Sequence, residues 1–200
     1  IYNAILSKEF FPNWEFRVYH EGGLNKAYLQ ELSNSGAVLH DMSGVNITPS
    51  MWRFYVYDDK EVEYFICRDV DDRLNKHDAD IVNIWLESGL PFHIIRSSEG
   101  HRTEMMAGMW GGKANYFSDF NMRNEIELFK PEFHNKGEDQ NFLREKFFHK
   151  IKDISLNHGF DFYNSPNRLD FPRMILTDEV KWAYPVGEVY EADSPRSKYE

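Results

Sequence analysis

Tyr64-Phe65-Ile66-Cys67-Arg68-Asp69-Val70-Asp71-Asp72-Arg73-Leu74 is the stretch that decides how this 200-residue chain folds. Its first four residues form a short apolar run that reads as a buried strand. The run passes straight into an acidic cluster, and a charge-rich helical pattern follows from Asn75 to Ser88. In an open α/β sheet, ligands sit just beyond the carboxyl ends of the strands. Asp69 and Asp71, one residue apart at such an end, can close their carboxylates on one hard cation. That cation would be one that prefers oxygen, Mn²⁺ or Mg²⁺. A solvated acidic loop is the competing reading of the same residues.

Outward from this stretch, strands and helices alternate. Upstream, apolar spacing from Tyr2 to Phe11, stopped by Pro12, predicts a helix. Phe16 to Tyr19 reads as a strand, Asn25 to Ser33 as a helix closed by Gly36, and Ala37 to Leu39 as a strand. Pro49-Ser50 opens a further helix through Val56. Downstream, Asn75 to Ser88 carries Ile81, Val82, Trp85 and Leu86 on its apolar side, with Asn75 and Asp78 resembling a capping box. Gly89 and Pro91 end it, and Phe92 to Ile95 is the next strand. Helical stretches are expected near 117–129 and 138–150. Alternation at this spacing implies βαβ units, hence one α/β domain with a Rossmann-type, mostly parallel sheet flanked by helices. It is expected to span residues 1–160, with 161–200 as a C-terminal extension packed on it and 192–200 frayed. A helix at the very start implies a first strand before Ile1, and a chain that starts at Ile rather than Met reads as a fragment.

At 42% hydrophobic, the chain has enough apolar residues for one sizeable core, so a single domain is the default. A net charge of −10 argues against nucleic-acid binding, which needs a basic surface. A single cysteine, Cys67, excludes an intrachain disulfide and points to a reducing, cytoplasmic setting. Cys67 lies within the apolar run and reads as a small core residue rather than a nucleophile. No run of about 18 apolar residues exists to span a membrane, and no signal peptide is visible.

Other groups extend the acidic site. Asp78 and Asp80 form a second pair, but within a helix residues two apart diverge by about 200° and cannot chelate together. Asp78 reads instead as a first-turn carboxylate favoured by the helix dipole. His158 closes another apolar run, Ile154 to Gly159, where an imidazole could complete the metal shell; a structural histidine is the alternative. Asp139 and Gln140 begin a helix and could meet a bound ligand, or simply favour the dipole. Trp52-Arg53 could contact nucleotide or phosphate, since Arg forks onto phosphate oxygens. Arg68 and Arg73 flank the cluster. In Met105-Met106-Ala107-Gly108-Met109-Trp110-Gly111-Gly112, glycines allow close approach of a ligand and Trp110 offers a platform for a sugar; a buried strand with a Gly turn is the alternative. Dinucleotide, P-loop, nucleophile-elbow and zinc-protease signatures are absent, and the cluster lacks the Gly and terminal Glu of an EF-hand.

Taken as an ordered set, Trp52-Arg53-Phe54, Arg68 to Leu74, Trp85 to Gly89, Phe92-His93-Ile94 and Ala107 to Gly112 resemble glycosyltransferases. The resemblance is to the GT-A-type domains that begin chlorella-virus (chlorovirus) multidomain proteins, and it covers residues 1–160. It implies a GT-A fold, a nucleotide-sugar donor (usually a UDP-sugar), a glycan acceptor and a divalent ion held by the Asp-x-Asp of Asp69 and Asp71. It also implies further domains C-terminal to this one and a role in viral capsid glycan synthesis in the host cytoplasm. His158 carries over to the metal role; Gly159 departs from the acid that relatives often carry there. The missing first strand is a second departure, because in GT-A folds it helps to hold the base. The expectation is therefore Mn²⁺ or Mg²⁺ on Asp69, Asp71 and His158, and Asp139 as base or sugar contact. Trp52, Arg53, Arg68, Gly108, Met109, Trp110 and Gln140 would surround the donor. A non-catalytic carbohydrate- or calcium-binding module and a metal-dependent nucleotidyltransferase are the alternatives.

Overall fold

The computed structural model describes residues 1–97, 100–133, 135–160 and 163–169. Helix α1 (Tyr2–Phe10) leads to strand β1 (Phe16–His20), helix α2 (Lys26–Asn34) and strand β2 (Ala37–Asp41). A 3₁₀ helix, Pro49–Asp58, precedes β3 (Tyr64–Cys67), α3 (Lys76–Ser88), β4 (Phe92–Arg96) and β5 (Trp110–Lys113). After α4 (Met122–Phe129), one helical stretch runs through α5 (Glu138–Phe142), a π-helical segment (Leu143–Phe148) and α6 (His149–Ile151), before β6 (Ser155–Gly159) and β7 (Arg168–Leu169). Of the expected C-terminal extension only 163–169 is described; 192–200 lies outside the described residues.

Local chemistry sets the boundaries. Asn25 caps α2 by accepting from the Ala27 amide, and Asn75 caps α3 by accepting from the Asp78 amide at 3.0 Å. Gly89 closes α3 with φ 70°, a left-handed conformation that glycine adopts without a Cβ penalty. In the 3₁₀ helix, side chains three apart eclipse one another, so Met51, Phe54 and Tyr57 share one wholly buried ridge.

The chain forms one α/β domain with two sheets rather than one mostly parallel sheet. β1 and β2 pair in parallel as a two-stranded sheet. The larger sheet has the order β3-β5-β4-β6-β7, with β5 antiparallel to both neighbours and β4, β6 and β7 mutually parallel. The direction of β5 follows from its connection. No helix forms among the described residues of 97–109, and parallel return needs a crossover, usually helical. β5 fits between β3 and β4 because Gly111 and Gly112 carry no side chain. A Cβ at Gly111 would stand 2.5 Å from the Phe65 carbonyl oxygen, and one at Gly112 would fall on the Phe92 ring. The smaller sheet packs beside β3, with Phe16 of β1 in the same apolar cluster as Tyr64 and Ile66. Among the described residues β1 pairs only with β2, and β3 only with β5.

Candidate functional site

The register places one group of loops together. Trp110 is opposite both Cys67 and Ile94, while Ile95 is opposite His158. The chain leaving β3, the chain entering β5 and the ends of β4 and β6 therefore share the carboxyl edge of the larger sheet. Beyond Cys67 the backbone turns tightly, with the Asp72 amide donating to the Asp69 carbonyl at 3.2 Å. Asp69 is half-buried on this turn and Asp71 exposed, and Val70 between them is 89% exposed.

Four residues from four separate stretches meet beside the turn. Arg53, on the 3₁₀ helix, donates through Nη1 to Asp69 Oδ1, and its Nη2 lies 3.9 Å from Asp139 Oδ2. Its Nε donates to the Ser50 carbonyl at 3.1 Å, which fixes the stem of the side chain. Gly108 is pressed against Asp69: a Cβ there would stand 2.9 Å from the Asp69 amide nitrogen and closer still to its carboxylate. Asp139 opens α5 and accepts from the Gln140 amide at 2.9 Å. Burial pushes the Asp139 carboxyl above the usual carboxylate range, Arg53 opposes that shift and Asp69 adds to it. Gln140 is half-buried next to it.

Arg68, expected at the donor, is engaged inside the fold. Its guanidinium turns inward and grips Asp78 with Nη2 at 2.7 Å and Nε at 3.1 Å, the two-point geometry that Arg makes with a carboxylate. Nη1 donates to the Cys67 carbonyl at 2.7 Å and the Trp110 carbonyl at 3.3 Å. The pair's side chains are 8% and 2% exposed, so Arg68 ties the first turn of α3 to β3 and β5. Asp78 is thus more than a dipole carboxylate.

Two expected sugar contacts belong to the core. Trp110 is 0% exposed, edge-on to Phe65 at 5.0 Å and beside Phe54 and Phe147. Met109 packs with Ile81 and Ile95. Burial of such side chains is worth about 1.5–3 kcal/mol each, which outweighs any face they could show a ligand. Trp52 is also buried, its Nε1 donating to the Ile47 carbonyl at 3.0 Å, although it lines a groove described below.

His158 is wholly buried on β6, its ring 6.0 Å from that of His93 and edge-on to it; His93 in turn stacks on Trp85 at 4.3 Å. Among the described residues the ring nitrogens of both histidines have no hydrogen-bond partners. Burial first, then His77 and Arg68, lower His158 to about 4, so its imidazole is neutral at physiological pH. Neutral is the form that ligates a metal. The structure does not gather it with the carboxylates: among the described residues no three His, Cys, Asp or Glu side chains converge as a metal-binding group. Asp69 and Asp71 fit Mn²⁺ or Mg²⁺ in donor chemistry, as two carboxylates on one turn, with Gly108 leaving room for the Asp69 carboxylate.

A groove of about 350 Å³ opens beside the turn, between the start of α1, β1, α2 and the 3₁₀ helix. Phe16, Tyr19, Tyr28, Trp52, Val70 and Arg73 line it. Val70 and Arg73 belong to the acidic stretch and Trp52 was already singled out, but sequence reasoning did not bring Phe16, Tyr19 and Tyr28 to them, because these come from separate elements and form no spacing pattern. No protein-family model, curated protein or solved structure matches the chain. Among the described residues no helix is long and apolar enough to cross a membrane.

Proposed function

We propose that this domain is a metal-dependent glycosyltransferase of the GT-A type, acting in the cytoplasm. Its donor is a nucleotide sugar, by resemblance a UDP-sugar, and its acceptor a glycan. The observation that carries this reading is the meeting of Arg53, Asp69, Gly108 and Asp139 at the carboxyl edge of the sheet. A ligand placed at that edge meets carboxylates, one guanidinium and a wall without a side chain, which suits a diphosphate joined to a sugar. Asp69 and Asp71 would hold Mn²⁺ or Mg²⁺, which supplies Lewis-acid stabilisation of charge on the departing diphosphate. Arg53, already poised between two acids, can exchange one of them for a phosphate oxygen. Asp139, its pKa raised by burial, is suited to accept a proton from the acceptor hydroxyl or to hydrogen-bond the sugar.

Calorimetric titration of UDP, with and without Mn²⁺, tests the reading. A glycosyltransferase binds UDP in a manner that depends on Mn²⁺. A carbohydrate- or calcium-binding module shows no metal-dependent affinity for UDP, and a nucleotidyltransferase prefers the triphosphate; either result overturns the proposal.

A further inference from the structure

The acidic turn is held from outside by the first turn of α1. Asn3 is 8% exposed, and its side chain makes three hydrogen bonds to residues about seventy positions away. Nδ2 donates to the Val70 carbonyl at 3.2 Å and to the Asp72 carbonyl at 2.5 Å. Oδ1 accepts from the Leu74 amide at 3.3 Å. These three bonds bracket Asp71 on both sides and tie down the backbone that follows Asp69. Next to Asn3, the Tyr2 ring receives the Arg73 guanidinium at 4.6 Å, so the same helical turn holds the loop twice. Helix α1 is itself anchored: Ala4 packs with Leu32 and Ala37 in a separate apolar cluster.

We infer that Asn3 is a positioning residue for the metal-binding turn, setting the spacing of the Asp69 and Asp71 carboxylates through their backbone. The inference rests on the metal role proposed above for these two acids. Two carboxylates one residue apart repel each other, and a tied backbone keeps their spacing against that repulsion. Asn3 supplies the tie with a neutral side chain that adds no charge of its own. Groups that orient ligands without touching the ion change metal affinity by about 10–100-fold when removed.

The test uses Asn3→Ala and Asn3→Asp, with Ser7→Ala as the control. Ser7 is also buried on α1, but its hydroxyl donates to the Ala4 carbonyl and not to the turn. Two quantities are read: amide hydrogen exchange at Leu74, and the Mn²⁺ concentration that half-saturates UDP binding. Asn3→Ala should speed exchange at Leu74 by about tenfold, since its acceptor is gone. It should raise the half-saturating Mn²⁺ about tenfold or more, and excess Mn²⁺ should restore parental UDP affinity. Asn3→Asp keeps the acceptor for Leu74, so exchange there stays near the parental rate, but Mn²⁺ binding weakens because the Val70 and Asp72 carbonyls lose their donor. Ser7→Ala should leave both readouts unchanged. Unaltered exchange at Leu74 in Asn3→Ala overturns the tie itself. Faster exchange with parental Mn²⁺ dependence overturns the positioning role. A parent chain that binds UDP without regard to Mn²⁺ overturns the proposed function, and the tie then stands or falls on exchange alone.

Discussion

Arg53 holds one guanidinium against Asp69 and within 3.9 Å of Asp139, and this sharing separates the tasks of the two acids. Asp69 and its neighbour Asp71 face solvent enough to exchange partners, whereas Asp139 is more enclosed and resists ionisation. Asp71→Asn should leave the melting temperature within the range of ordinary surface changes, about 0.5 kcal/mol, because the residue is exposed. It should abolish the Mn²⁺-dependent part of UDP binding, since an amide brings no charge to the ion; parental binding in titrations would remove Asp71 from the site. Asp139 behaves in the opposite sense. Its folded pKa lies above its unfolded one, so the folded state binds more protons and stability falls as pH rises through that window. At pH 7 the ionised group therefore costs stability. Asp139→Asn should melt higher than the parent at pH 7 and lose glycosyl transfer by at least about a hundredfold. A lower melting temperature would mean that attraction to Arg53, not burial, dominates at Asp139.

Elements decide how these side chains arrive. The segment entering β5 brings Gly108 against Asp69, and a methyl group there meets the Asp69 amide nitrogen at 2.9 Å. The backbone cannot yield as a side-chain tip could. Gly108→Ala should cost about 1–3 kcal/mol of stability and detach Asp69 from Arg53, so UDP binding with Mn²⁺ falls together with the melting temperature. Both quantities are measurable in one thermal-shift series, and an unchanged pair would refute the close approach. The junction of β3 with α3 depends on Arg68 and Asp78. As an ordinary dipole carboxylate, Asp78 would be worth about 0.5–1 kcal/mol. As the partner of a buried guanidinium its removal should cost about 3–5 kcal/mol, because Asp78→Ala leaves Arg68 charged and unpaired. Joint replacement, Arg68→Met with Asp78→Leu, should recover much of that loss by denaturant melts. Equal damage in the single and double variants would mean that the hydrogen bonds of Arg68 to Cys67 and Trp110, rather than the ion pair, hold the junction.

Across the whole molecule, buried imidazoles make stability depend on pH. His93 and His158 are both lowered, His93 well below the ordinary value and His158 to about 4, chiefly by burial. His40, His77 and His101 shift in the same direction for the same first reason. A histidine whose folded pKa lies below its unfolded value near 6.5 binds fewer protons when folded, so stability rises with pH through the window. The metal-free protein should therefore lose melting temperature steadily from pH 7 to pH 5. The lowered carboxylates Asp41 and Asp59 lose their contribution only at lower pH, since they start from 3.8. Replacing His93 and His158 together by Leu should flatten the slope; a slope that survives would assign it to the other histidines.

The order of strands and helices as far as β4 was readable from sequence because periodicity, Asn caps and glycine stops act within a few residues of one another. Asn75 and Gly89 bound α3 as expected, and Tyr64–Cys67 is the expected strand. Arg53, Asp69, Gly108 and Asp139 could each be singled out for its chemistry, but only the resemblance, and no spacing in the sequence, put them at one site. Apolarity also does not reveal the use of a residue: Trp110 and Met109 suited a ligand as well as a core, and only packing against Phe65 and Ile95 resolved the two. The direction of β5, the inward turn of Arg68 and the hold of Asn3 on the acidic turn had no local signal at all. Each depends on which partner fills the space beside it, across separations of up to 71 residues, and that is fixed by the competition among all the packed elements rather than by any one stretch.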